Sequence, residues 1–123
     1  MTDRMASAAL DAHVTAFNAR DLPGLLAGFT EDAVWVTGRY TCSGQAELRE
    51  LFSGTFAAIA PQLRVLRVVG GDAASVVAAE LVETMTVEGT VVQAPIAGFY
   101  TLRDGRIAAA KIYREGSADI PQV

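Results

Sequence analysis

The sequence contains a single histidine, His13, and it interrupts an apolar stripe: Leu10, His13, Val14 and Phe17 follow at i, i+3, i+4 and i+7. An imidazole titrates near neutral pH, so it can shuttle a proton or polarise an oxygen. The competing reading is a core histidine satisfied by a backbone carbonyl. Two carboxylates, Glu80 and Glu83, break a run otherwise rich in Val, Ala, Leu and Met. A carboxylate walled by apolar side chains can act as acid or base, alone or with His13; the competing reading is a pair of solvated strand carboxylates. Cys42 has no histidine near it in sequence, which makes a poor nucleophile. One His and one Cys leave too few ligands for zinc, and no acidic loop suggests calcium. The eleven glycines make neither GxGxxG nor GxxxxGK. Neither a metal nor a cofactor is expected.

The elements that must carry these residues are legible in outline. Residues 5–19 lack Gly and Pro and read as a first helix. Asp21 and Pro23 read as the cap and first turn of a short second helix ending near Phe29, broken by Thr30, Glu31 and Asp32. Residues 33–37 read as a strand, and Gly38 opens a loop that includes Cys42. Ser43 is placed to cap a third helix, in which Leu48, Leu51, Phe52, Thr55, Phe56 and Ile59 keep helical spacing up to Pro61. The period then changes. Residues 62–69, 73–87, 90–102 and 106–114 are rich in Val, Leu, Ile and Thr, separated by Gly70-Gly71, Glu88-Gly89 and Asp104-Gly105. Asp104-Gly105 is the strongest hairpin signal, because a type I′ turn needs positive φ at both central residues. Helices followed by an antiparallel run, with one early strand, predict an α+β fold.

With 123 residues, 51% apolar and 20% charged, the chain is expected to form one domain over residues 1–123. A net charge of -4 and ten Lys and Arg without a basic run argue against nucleic acid as a partner. Asp3, Arg4 and Asp11 interrupt any signal-peptide core, and no stretch has the length of a membrane-spanning helix, so no membrane partner and a cytoplasmic location are expected. One cysteine allows no internal disulfide, which suits a reducing compartment. Residues 73–87 are apolar on both parities, which predicts that both faces of that strand are covered, the second by another subunit of a homodimer.

Several segments resemble the NTF2-like superfamily, in its ketosteroid isomerase-like and SnoaL-like branch. Residues 17–22 and 29–34 are similar to its first helices and strand, and residues 44–52 to its third helix. Ala94-Pro95-Ile96 with Phe99, followed by residues 104–107, is similar to its last hairpin. The resemblance spans roughly residues 10–116 and implies a cone of three N-terminal helices on a strongly curved, mainly antiparallel sheet. Ketosteroid isomerases use an aspartate base, with a tyrosine and a protonated aspartic acid holding the enolate oxygen. Those places fall on Thr37, His13 and Ala97, none of which keeps the family residue, so ordinary ketosteroid isomerisation is not expected.

The resemblance also implies a pocket lined by Phe29, Trp35, Thr37, Phe52 and Phe99, the competing reading for each aromatic being core; Arg39, Tyr40 and Arg114 are candidates for the pocket mouth, against exposed surface residues. Two arguments place the strand carboxylates differently. A strict two-residue hairpin at Glu88-Gly89 pairs Glu80 with Ala97. The family alignment, with a bulge near Pro95, puts Glu83 on that face, where Leu81 and Met85 join it. Glu83 is preferred. The expected activity is acid/base chemistry by His13 and Glu83 on a small apolar molecule of polyketide, terpenoid or steroid-like character: isomerisation, cyclisation or opening of an epoxide or lactone. The alternative is a non-catalytic ligand-binding or dimerisation module.

Overall fold

The structure, a computed structural model, describes residues 7–114. The first two residues of the predicted first helix, and both ends of the predicted 1–123 domain, lie outside them. Helix α1 (Ala8–Ala19) starts at Ser7, whose hydroxyl accepts the Leu10 N–H at 3.1 Å, and stops at Arg20 in the left-handed region. Helix α2 (Leu22–Ala27) is capped by Asp21, whose carboxylate accepts the Gly24 N–H at 3.1 Å, with Pro23 in its first turn. Helix α3 (Gly44–Ile59) follows Ser43. There the expected side-chain cap is absent, and the Glu47 carboxylate instead accepts the Ser43 N–H at 2.7 Å.

Strand β1 (Phe29–Thr37) begins earlier than expected, because residues 30–32 continue the strand rather than break the chain. Their polar side chains are accommodated at an irregularity in its pairing, between Phe29 and Val34. There Asp32 accepts hydrogen bonds from the Thr30 hydroxyl at 2.9 Å and from Arg103 at 2.6 Å. The loop expected after Gly38 is a short edge strand, β2 (Tyr40–Ser43), which carries Cys42 opposite Trp35. The remaining strands are β3 (Gln62–Val69), β4 (Val76–Val87), β5 (Thr90–Arg103) and β6 (Arg106–Arg114). The sheet order is β2-β1-β6-β5-β4-β3, and only β1 and β6 pair in parallel. The architecture is the curved NTF2-like cone: helices on one face of a mainly antiparallel sheet.

The β4–β5 register decides which side chains face the helices. Glu88 and Gly89 both have positive φ, 50° and 82°, as a type I′ turn requires. From Val87↔Thr90 to Val76↔Thr101 the pairing runs without a bulge, and Pro95 sits in step opposite Val82. Glu83, Leu81, Ala79 and Val77 therefore face inward, opposite Ala94, Ile96, Gly98 and Tyr100. Two expectations are overturned by this register. Ala97 pairs with Glu80 and Phe99 with Ala78, so both point to the outer face, away from the helices. Glu80 shares the outer face with Ala97, as a strict two-residue hairpin requires, and Glu83 faces inward without sharing a face with Ala97. No helix among the described residues is long and apolar enough to cross a membrane.

Candidate active site

A cavity of about 60 Å³ lies between the inner face of the sheet and helices α1 and α3. His13 reaches it from α1, Phe52 and Thr55 from α3, Trp35 and Thr37 from β1, Glu83 from β4, Tyr100 from β5, and Arg114 from β6. His13 is 3% exposed and ringed by Phe17, Phe29, Trp35, Phe52 and Tyr100, with centroids 5.6 to 6.4 Å from its own. Among the described residues, neither ring nitrogen has a hydrogen-bond partner. The reading of a core histidine satisfied by a backbone carbonyl therefore fails. Burial lowers its pKa to about 4, so at neutral pH the imidazole is uncharged, with one N–H donor and one acceptor nitrogen.

Glu83 is equally buried, and its Oε1 accepts a hydrogen bond from Arg114 Nη1 at 2.5 Å. The geometry of β5 permits this contact. Arg114 lies opposite Ile96 and Glu83 opposite Ala94, so the arginine side chain crosses the inner face of β5 past the small Ala94. Arg114 is partly exposed, and it lines the cavity beside the carboxylate. Tyr100 is held by a second small residue: a side chain at Gly98, two positions back on the same face, would run into the tyrosine ring. Burial pushes the Tyr100 hydroxyl's pKa up, so it stays a neutral donor.

His13, Glu83, Trp35, Thr37 and Phe52 are thus brought together. Phe29 is core, packed edge-on against His13 and set back from the cavity. Met85 keeps the inward parity of Glu83 but lies beyond the cavity. Ala97 and Phe99 are on the other side of the sheet, where Phe99 is 48% exposed and packs on Tyr113. Tyr40 and Arg39 are exposed and do not border the cavity. Tyr100 and the Glu83–Arg114 pairing went unread, although the Glu88-Gly89 turn alone places Tyr100 on the parity of Glu83. Among the described residues, no three His, Cys, Asp or Glu side chains gather as a metal-ligand set.

A pocketed α+β cone with ionisable groups in an aromatic wall defines a protein of the NTF2-like class. The profile of the SnoaL-like domain family matches residues 10–110, and the chain belongs to that family. No curated protein matches the sequence. Among solved structures, it is similar to a candidate polyketide cyclase of Xanthomonas campestris pv. campestris, at 23% identity and a TM-score of 0.81 over 92% of both chains. A protein of Catenulispora acidiphila with a ketosteroid isomerase-like fold matches at 19% identity and 0.80, covering 90% of this chain and 88% of that one. An LEH-like epoxide hydrolase of M. tuberculosis matches at 21% and 0.79, covering 94% and 86%. At such identities the likeness is one of fold.

Proposed function

We propose that this chain binds a small apolar molecule bearing one oxygen function in the cone, and moves a proton on it with Glu83 and His13. The observation that carries the reading is a fully buried imidazole, without a partner at either nitrogen among the described residues, bordering the same cavity as a buried carboxylate. An unsatisfied buried polar group costs about 1–3 kcal/mol, and a ligand oxygen would satisfy it. In this reading the Glu83 carboxylate takes a proton from the carbon beside a ligand carbonyl. The neutral His13 N–H and the Tyr100 hydroxyl hold the oxygen as negative charge develops on it. Arg114 fixes the carboxylate, and the aromatic wall keeps water out. The same groups suit isomerisation, ring closure through an enolate, or opening of an epoxide or lactone. The cyclase and epoxide hydrolase among the fold relatives fit that range of chemistry.

The test is exchange of the α-protons of 2-pentanone for deuterium, followed by proton NMR. The unaltered protein should accelerate exchange above buffer. Glu83→Gln should lower the enzymic rate by at least ~10²-fold, and His13→Leu should lower it while the fold survives. Exchange no faster than buffer would move the assignment to a binding module. The exposed aromatic and aliphatic residues on the outer sheet face support a further part of the reading, that the chain pairs there with a second copy of itself.

A further inference from the structure

The size of the cavity and the way its wall is built limit what can reach His13. About 60 Å³ is well under half of the cavity of about 150 Å³ that benzene occupies. The wall is also interlocked. Trp35 and Phe52 meet edge to face at 5.1 Å, Phe52 meets Phe17 at 6.2 Å, and Phe17 meets Phe56 at 5.3 Å. Each ring is backed by the next as far as the half-buried Phe56, so widening the cavity disturbs several packed side chains together. Beyond Glu83 the inner face continues along β4 and β5. There Met85 pairs with Val92 and Val87 with Thr90, and Val87 and Val92 are 42% and 38% exposed. The cavity thus adjoins an apolar strip on the same face of the sheet.

We propose that the pocket selects narrow ligands. An oxygen function on an unbranched end of about two or three non-hydrogen atoms, such as the acetyl end of a methyl ketone, enters toward His13, at the limit of what so small a space can hold. The rest of the molecule lies outside along Met85 and Val92, and fused-ring molecules are refused. This rests on the reading of the cavity as the site for an oxygen-bearing apolar molecule. It narrows that reading away from the polycyclic ligands that the family resemblance suggested.

The probes are 2-pentanone, 2-nonanone, 1-decalone and androstenedione, followed by the imidazole resonances of His13 and by thermal shift. Both linear ketones should move the His13 resonances and raise the melting temperature. 2-Nonanone should bind at least ~10-fold more tightly, since its added methylenes gain contact with the strip. Neither fused-ring ketone should bind. Trp35→Ala removes one side of the wall and should admit 1-decalone; Phe52→Leu serves the same purpose if that variant does not fold. Binding of 1-decalone or androstenedione to the unaltered protein as tightly as 2-pentanone overturns the size limit and leaves the binding site standing. If no ketone of either shape moves the His13 resonances, the binding reading falls and the size limit falls with it.

Discussion

His13 sets function against stability within one side chain. Its two nitrogens are buried among five aromatic rings, without a partner among the described residues, a placement that an apolar residue would fill at lower cost. His13→Leu should therefore raise the unfolding free energy by about 1–3 kcal/mol, read from urea unfolding at pH 7.5. The pH dependence follows from the same burial. The folded pKa is near 4 and the ordinary value is 6.5, so between them the unfolded chain takes up a proton that the folded chain refuses. Stability contributed by neutral His13 is thus present above pH 6.5 and lost as pH falls toward 4, by up to about 3 kcal/mol. The carboxylates titrate in the same window, so the quantity to measure is the difference between the parent and His13→Leu at pH 4.5 and 7.5. The gap in favour of the variant should widen at the lower pH. A gap that does not change with pH would mean that the folded protein protonates His13 without penalty.

At the scale of elements, strand β5 does most of the positioning, and its small residues matter as much as its large ones. Ala94 leaves the lane through which Arg114 reaches Glu83, and Gly98 leaves room for Tyr100. Arg114→Met would strand a buried carboxylate, at a cost of about 2–4 kcal/mol after allowing for the arginine's partial exposure. The double variant Arg114→Met with Glu83→Gln should recover most of that loss, giving a coupling of about 1–3 kcal/mol in a double-mutant cycle. Additive losses would show that the pair does not hold the site together.

How far the sequence could be read turns on the same strand. The helices and the four long strands were legible because their periods and turn residues agree locally. His13 and Glu83 stood out as polar residues inside apolar runs. The register of β5 needed only the Glu88-Gly89 turn, yet the family pattern argued for a bulge at Pro95 and turned Ala97 and Phe99 inward. A proline at a step in the ladder reads in sequence just as a bulge would. The Arg114–Glu83 contact was out of reach because it crosses an intervening strand and depends on a gap, and a gap leaves no periodic mark. Strand β2 was missed because a four-residue edge strand carries too little pattern to be told from a loop.

For the whole molecule, the two faces of the sheet meet different fates. The inner face is closed by α1 and α3 around the cavity. The outer face leaves Val69, Val76, Phe99 and Tyr113 at 61, 45, 48 and 52% exposure, drawn from four adjacent strands. Val69, Ala78, Phe99 and Lys111 stand side by side across β3 to β6, and Lys111 lies over the Tyr113 ring at 5.3 Å. The same face carries the Arg67–Glu80 ion pair at 3.4 Å, and a patch of exposed apolar side chains rimmed by charges is what two copies related by a twofold axis would cover, each presenting it to the other. Sedimentation velocity at micromolar concentration should therefore report a dimer. Phe99→Glu places a like charge on both sides of the twofold contact and should weaken association by at least ~10²-fold. Because Phe99 points away from the cavity, that variant should still bind 2-pentanone and exchange its protons at the parent rate. A parent that sediments as a monomer would leave the outer face uncovered. A monomeric variant that also loses exchange would show that pairing shapes the pocket through the sheet, although the proposed catalytic groups all stand on its other face.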